Sequence, residues 1–286
     1  MSRGTVAVVT GASRGAGRGI AIALGAHGCT VYVTGRSEKR GDAPLSGTIH
    51  ETAEAVTRAG GEGFAVRVDH ADDAQVKALF EQVRSRHGRL DILVDNACAI
   101  LDRLTERGPF WEKPLELVDM LDVGLRSGYV ASYFAAPLMV AQRRGLVVFN
   151  SASGAIHYVF GPAYGAHKAG MDKFAADMAV DFRPHGVAVL SIWMGAVLTE
   201  RLRNVIASDP AKLGHLESTA ETPEFTGHVV WALYRDPALM ETSGRTRIGA
   251  ELAQKYGILD VGGRQPPSYR DAHHVEPRVQ YPLAIR

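Results

Sequence analysis

The chain has 286 residues, a formal net charge of +1, 46% hydrophobic residues and two cysteines, Cys29 and Cys98. That length fits one α/β domain of the larger kind, or two at most, and the apolar fraction excludes a disordered chain. The balanced charge excludes a nucleic-acid binder that works by bulk electrostatics. Two cysteines make neither a disulfide framework nor a zinc site, so a reducing, cytoplasmic setting is expected.

The opening stretch MSRGTVAVVTGAS is too short in apolar residues for a signal-peptide core. The longest apolar region, Tyr129–Ala141, falls short of the roughly 18 residues of a membrane span and reads as a buried helix. Val6–Val9 is a β-branched run ending in Thr-Gly, followed by a helical stretch through Ile20, Ile22 and Leu24 to His27. Thr30–Thr34 is a second run, closed by Gly35, and Glu51–Ala59 a second helix. Phe64–Val68 is a third run; Asp72–His87 then places Val76, Leu79, Phe80 and Val83 on one helical face. Leu90–Val94 ends at Asp95-Asn96. A long helix is expected over Leu115–Arg143, a fifth strand at Leu146–Phe149, a helix over Ala163–Phe182, a sixth strand at Val187–Ile192 and a seventh near Arg245–Ile248.

Unbroken apolar strands separated by helices define a parallel sheet covered on both faces. Right-handed crossovers then give one α/β domain, a doubly wound Rossmann-type sheet of about seven strands. Two segments break the rhythm. Residues 199–228 read as a helical lid over a site, and the Pro- and Arg-rich residues 262–286 as a tail needing a surface to lie on.

Thr10–Gly17 reads TGASRGAG, directly after the first strand and opening the first helix. In a dinucleotide site such glycines permit a tight turn and close backbone approach, and the helix N-terminus offers unpaired N–H groups to a pyrophosphate. Gly11, Ser13, Arg14, Gly15, Ala16 and Gly17 are therefore candidate cofactor residues. At the end of the second strand, where a carboxylate selects NAD, stands Gly35-Arg36, with no acid before Glu38. Arg14 and Arg36 together favour the 2′-phosphate of NADP(H), to which Arg forms bidentate, charge-assisted bonds.

Tyr164-Gly165-Ala166-His167-Lys168 puts Tyr164 and Lys168 on one helical face. Ser151 lies just past the fifth strand, at the carboxyl edge where open α/β sheets bind ligands. A Tyr beside an ammonium gives up its proton more easily and can act as acid or base on a hydroxyl/carbonyl pair.

TGASRGAG, Asp69, Asn96-Ala97, Ser151 and Tyr164-x3-Lys168 together resemble the short-chain dehydrogenase/reductases, over roughly residues 5–250. The stretches FWEKP, VGLRSGY and YGAHKAGMDKFAAD, with the unusual Gly124, resemble one particular member. The resemblance implies that Ser151 orients the substrate oxygen, Tyr164 exchanges the proton, and Lys168 binds the nicotinamide ribose and lowers the Tyr pKa. It also implies that Asp69 contacts the adenine, Asn96 closes the cofactor loop, and Val197 and Thr199 hold the carboxamide. Three positions depart from the family. Cys98 replaces a glycine and is expected to pack rather than react. Met194-Gly195 replaces Pro-Gly. Gly124 replaces the Asn whose side chain normally holds a relay water behind the lysine.

His157, Tyr158, Phe160, Trp193, Phe110 and Trp111 are either pocket lining or ordinary core. His167 reads as a helix-surface residue, and His273-His274 is not a metal pair, so no metal is expected. The reading is an NADP(H)-dependent oxidoreductase interconverting a carbonyl and a secondary alcohol on a small, mainly apolar substrate. The rivals are an epimerase or dehydratase on the same scaffold, and a non-catalytic NADP(H)-binding sensor or scaffold. The surplus apolar residues of the two long helices, Tyr129, Val130, Tyr133, Phe134, Leu138 and Met139 on the first and Met171, Phe174, Met178 and Val180 on the second, imply a homodimer or homotetramer. No nucleic-acid partner and no membrane span are expected.

Overall fold

A computed structural model of the chain describes residues 4–281 and 283–285. Seven parallel strands form one sheet in the order β3-β2-β1-β4-β5-β6-β7. They are β1 Val6–Val9, β2 Thr30–Gly35, β3 Glu62–Arg67, β4 Ile92–Asp95, β5 Gly145–Ser151, β6 Val187–Trp193 and β7 Thr246–Ile248. The helices between them are α1 Gly15–Ala26, α2 Ile49–Arg58, α3 Asp73–His87, α4 Ser127–Gln142 and α5 Pro162–Phe182. After β6 come α6 Glu200–Ser208, α7 Pro210–Leu213, α8 Leu216–Thr219, α9 Phe225–Arg235 and α10 Leu239–Thr242; after β7 come α11 Gly249–Tyr256 and α12 Tyr269–His273.

The period-2 alternation of strands sorts the core into two layers. Ala7, Val9, Ile92, Val94, Leu146 and Val148 meet Ile20, Leu24, Val56 and Val229 on one face. Val6, Val8, Leu93, Val147 and Phe149 meet Val76, Phe80, Ala131 and Met171 on the other. Burying each such Val, Leu, Ile or Phe side chain contributes about 1.5–3 kcal/mol. This is the doubly wound architecture expected from the sequence. Its order reverses between β1 and β4, the switch point where such sheets bind ligands.

Three segments differ from expectation. The helix predicted over Leu115–Arg143 is broken: 3₁₀ turns cover Leu115–Leu121, and Val123 (φ −93°, ψ 90°) with Gly124 (φ 153°, ψ −74°) interrupts the chain before α4. The lid segment keeps its helices α6 to α8, but from Phe225 onward it joins α9, whose Phe225, Val229 and Val230 are core. The tail does not begin free. Arg264 donates to Ala220 O (3.1 Å), Gln265 to Ala250 O (3.1 Å), and Ser268 Oγ to Glu251 (2.8 Å), which straps residues 264–270 to the same chain. Val279, Tyr281, Leu283 and Ile285 beyond it are exposed, while positions 282 and 286 lie outside the described residues. Among the described residues no helix is long and apolar enough to cross a membrane.

Candidate active site

The ends of β1, β4 and β5 are laced together at the switch point. Thr10 Oγ1 accepts from the backbone N–H of Asn96 and of Ala97, each at 2.9 Å. Asn96 Nδ2 donates to Thr10 O (2.9 Å) and Gly11 O (3.0 Å), and Asn96 Oδ1 accepts from Asn150 Nδ2 (3.1 Å). Asn96 thereby fixes the glycine turn from the neighbouring strand. A Cβ at position 17 would lie 2.3 Å from Asn96 Nδ2, so only glycine lets the turn close on it. Ser13 is buried beneath, its carbonyl accepting from Thr52 Oγ1 (3.4 Å).

Helix α1 starts at Gly15, and its N-cap Arg14 supplies no capping side chain. The N–H groups of its first turn, Gly15, Ala16 and Gly17, have no helical acceptor by geometry. A carboxylate from α6 takes the place: Gly15 N–H donates to Glu200 Oε2 (3.0 Å), with Arg18 3.9 Å from the other oxygen. The chain thus seats an anion of its own at this N-terminus, and the site fits the phosphates of a dinucleotide.

Of the two arginines, Arg14 is committed. Its guanidinium donates to Ser37 Oγ (2.8 Å), Gly47 O (2.8 Å) and Ser46 O (3.1 Å), clamping the loop after β2. Arg36, at the end of β2, keeps a 69% exposed side chain and lies 3.8 Å from Asp69 Oδ2. Asp69 also accepts from Ala71 N–H (3.0 Å).

Across the cleft, α5 carries Tyr164 and Lys168 on the face turned to β5. Lys168 is buried and donates from Nζ to Asn150 O (2.9 Å); its ammonium is 5.7 Å from the Tyr164 ring centroid. Burial pushes the Lys168 pKa down, against the pull of Cys98 and Asp172. Tyr164 is pushed up, first by burial and then by the neighbouring Tyr269 and Cys98 phenol and thiol. The expected lowering by Lys168 is not what governs Tyr164 in this geometry, where the ammonium is turned to a backbone carbonyl. Ser151, wholly buried, donates to Lys168 O (3.2 Å) and so faces α5 one turn beyond Tyr164. Beneath it, Asp172 accepts from Ser191 Oγ (2.6 Å) and Trp193 Nε1 (2.9 Å), which ties α5 to β6.

His167 is a correction: it is fully buried, not on the helix surface. Its Nδ1 lies 3.7 Å from Cys98 Sγ, while Nε2 has no partner. Burial drives its pKa down to about 2, with Lys168 adding to the effect, so the ring is neutral. The ring fills the space that a side chain at position 124 would take. A Cβ there would lie 2.8 Å from His167 Nε2, on a backbone at φ 153° that disfavours any other residue. Gly124→Ala is expected to cost roughly 2–5 kcal/mol of unfolding free energy from overpacking and backbone strain together, read by urea denaturation. An undiminished midpoint would show that the two segments are free to part. Cys98 packs against the cluster of Leu104, Leu117 and Met120, and burial raises its thiol pKa.

Val197 bridges to Glu221, and Thr199 Oγ1 caps α6 by accepting from Leu202 N–H (3.2 Å). The Thr199 methyl lies beside Gly15, so the loop after β6 reaches the glycine turn. Of the aromatic candidates, Trp193 is core, Phe110, Trp111 and Tyr158 are exposed, and Phe160 (φ 60°) stands edge-on to Tyr164 with centroids 5.3 Å apart. Asn150, Asp172, Glu200 and Tyr269 were not singled out in the sequence. Asp172 alone carried a local signal, lying one turn past Lys168 on the same face. Among the described residues no group of three or more His, Cys, Asp or Glu side chains is placed to hold a metal.

A glycine turn at a parallel-sheet switch point, opposed by a Tyr-Lys pair on the helix after β5, defines a nicotinamide-dependent oxidoreductase of the alcohol–carbonyl couple. The chain belongs to the short-chain dehydrogenase family, whose profile matches residues 5–209. It is 41% identical over 278 residues to the mouse protein named dehydrogenase/reductase SDR family member 1, covering 93% of this chain and 86% of that one. The human counterpart is also 41% identical, over 277 residues. Among solved structures, a dehydrogenase candidate from Xanthomonas campestris superposes with a TM-score of 0.77 at 26% identity, covering 93% of this chain and 96% of that one. A metagenomic short-chain oxidoreductase solved in complex with NADP gives 0.66 at 28% identity, covering 86% and 96%.

Proposed function

We propose that the chain is an NADP(H)-dependent oxidoreductase that interconverts a carbonyl and a secondary alcohol on a small, mainly apolar substrate. The observation that carries the reading is the placement of Tyr164 and Lys168 on one face of α5, at the carboxyl edge of β5. When bound, the reduced cofactor supplies a hydride to the carbonyl carbon. Tyr164 Oη gives its proton to the oxygen as that oxygen takes up the carbonyl electron pair. Burial opposes the phenolate left behind, and the Lys168 ammonium offsets that cost and reaches toward the nicotinamide ribose. Ser151 orients the substrate oxygen once its hydroxyl leaves the Lys168 carbonyl. Gly11, Ser13, Gly15, Ala16 and Gly17 would hold the pyrophosphate where Gly15 N–H now meets the Glu200 carboxylate; Asp69 would contact the adenine, Asn96 keeps the glycine turn closed, and Val197 and Thr199 would hold the carboxamide.

Arg36 decides the cofactor in this reading. Arg14 is spent on the loop, where it holds Ser37, the residue after Arg36, while the Arg36 guanidinium stays exposed. One to two charge-assisted contacts to a 2′-phosphate favour NADPH over NADH by roughly tenfold to a thousandfold. Arg36→Ala is expected to raise the NADPH dissociation constant by that factor with little change for NADH, measured by quenching of intrinsic fluorescence. Equal affinity of the unmodified protein for both would remove the NADP preference. A protein that binds NADPH but turns over no ketone or aldehyde would instead be a sensor.

The domain is proposed to work as a homodimer or homotetramer. Tyr129 and Tyr133 of α4 remain 50% and 64% exposed, whereas Val130, Leu138 and Met139 turn inward. Light scattering at micromolar concentration is expected to give at least twice the chain mass, and a clean monomer would overturn the assembly.

A further inference from the structure

The loop after β6, residues 194–199, leads from the sheet edge into the lid and carries Val197 and Thr199. Its trace is set from outside by one residue, Glu221. The Glu221 backbone pairs with the loop: its N–H donates to Ala196 O (2.7 Å), its carbonyl accepts from Leu198 N–H (2.8 Å), and Val197 is its bridge partner. The side chain reaches the loop as well, where Oε1 accepts from Gly195 N–H (2.9 Å). A Cβ at position 195 would lie 2.7 Å from that oxygen, so glycine there is what admits the carboxyl. The segment around Glu221 is fixed from behind. Arg264 donates to Ala220 O (3.1 Å), Asp260 accepts from Thr222 N–H (2.9 Å), and Pro223 lies against Gly19 of α1. Residues 220–223 thus form a frame from which the loop hangs, and one of its fastenings is a titratable side chain.

That carboxyl is placed where a negative charge has little support. Glu221 is 1% exposed, and its second oxygen, Oε2, is buried with no partner. A single backbone N–H reaches the group, whereas an ionised carboxylate out of water needs a cation or several donors. The charged and titratable groups around it supply neither. Asp260, where the strap begins, is a second buried carboxyl, and Arg264 is turned to Asp260 (3.1 Å) and to the Ala220 carbonyl. Tyr269, on the strap, packs on Trp193 at the end of β6 and brings only a phenol. His228 of α9, beside Glu224 and Asp260, is neutral because burial lowers its pKa. Glu221 is therefore protonated across the neutral range, and burial pushes its pKa up to about 8. The unfolded chain ionises near the ordinary value of 4.5, so between the two values the folded chain holds a proton that the unfolded chain has lost. Stability contributed by Glu221 falls as pH rises through that window. Glutamine would accept from Gly195 N–H in the same way without that loss.

We propose that Glu221 is a positioning residue that holds the loop of Val197 and Thr199 as a neutral acid, so that its ionisation in the alkaline range frees the loop and weakens dinucleotide binding. The inference rests on reading that loop as the holder of the nicotinamide end. The test compares the full chain with Glu221→Gln and Glu221→Ala between about pH 6.5 and 9.5. NADPH affinity is read by quenching of intrinsic fluorescence. The loop is read without ligand, by hydrogen-exchange protection of residues 194–199 corrected for intrinsic rates. Above the Glu221 pKa the wild-type dissociation constant should climb toward roughly tenfold per pH unit, and loop protection should fall over the same range. Glu221→Gln should match wild type at neutral pH, keep its loop protection, and bind NADPH roughly tenfold more tightly than wild type at the alkaline end. The comparison removes the alkaline weakening that Lys168 supplies, since both proteins share it. Glu221→Ala, which leaves Gly195 N–H without an acceptor, should bind weakly and protect the loop poorly at every pH. Parallel profiles for wild type and Glu221→Gln would overturn the proposal, because a side chain kept for packing alone predicts them. If no variant binds NADPH at any pH, the oxidoreductase reading fails; an alkaline loss of loop protection that Glu221→Gln lacks would still uphold the role of Glu221.

Discussion

Tyr164→Phe is expected to cut carbonyl turnover by about 10²–10⁴ while dinucleotide affinity and thermal midpoint stay near wild type. The ring would remain packed against Leu104, Leu117 and Met120 and edge-on to Phe160. The hydroxyl has no protein partner among the described residues, so its removal strands no donor or acceptor. What disappears is the proton. The direction of the Tyr164 shift adds a pH signature. Burial raises its pKa, so the phenol form that reduces a carbonyl is present throughout the neutral range. Alcohol oxidation needs the phenolate, whose fraction grows as pH rises. Reduction should therefore be flat across neutral pH and oxidation should climb into the alkaline range, both in initial-rate profiles. A variant with near wild-type turnover would assign the acid elsewhere.

The sheet was legible because its central strands are buried on both faces, which writes them as continuous apolar runs bounded by Gly, Asp or Asn, whereas the edge strands β3 and β7 are only partly buried. Val6–Val9 and Val187–Ile192 illustrate it, and the sheet has the expected seven strands. The glycine turn was equally plain, since Gly17 faces Asn96 at a distance that admits no side chain. The break at Val123-Gly124 was harder. Apolar spacing continues across it, and only the positive φ of Gly124 shows where the helix cannot run. A glycine near the N-terminal third of an uncapped 29-residue helical stretch, with Pro137 further on, was the available warning.

The site was legible in its local pairs and not in its long-range ones. Tyr164 and Lys168 share a face by spacing alone. The burial of His167 depends on the space left by Gly124, which lies 43 residues earlier in the chain. Helix α5 is packed on several sides, so no single stripe distinguishes an inward His from an outward one. Arg14 and Arg36 read alike in sequence, yet the carbonyls of Ser46 and Gly47 capture one and leave the other exposed. Tyr269 reaches the sheet edge through a strap whose fastenings, Thr222-Asp260 and Glu251-Ser268, join residues far apart in the chain. No local pattern encodes such contacts.

Lys168→Met separates function from stability. The ammonium is buried in the α5–β5 contact, and its one hydrogen bond is to Asn150 O at 2.9 Å. Desolvation is the largest influence on it and outweighs the attraction of Cys98 and Asp172, so its pKa in the fold lies below the ordinary lysine value. Between the folded value and the ordinary one, the unfolded chain binds a proton that the folded chain does not. Unfolding free energy contributed by this group therefore rises with pH through that window and is lowest below it, where the charge is buried. Methionine has similar length and no charge to desolvate, so at neutral pH the variant should be as stable as wild type or more stable in urea melts. It should also lack the part of the pH dependence that Lys168 supplies. Turnover should nonetheless fall by about 10² or more, since the phenolate at Tyr164 loses its compensating charge, and dinucleotide affinity should weaken with it. A residue retained for packing would show the opposite pattern, a lower midpoint with turnover per folded molecule preserved. That result would remove Lys168 from the chemistry and leave Tyr164 without its cation.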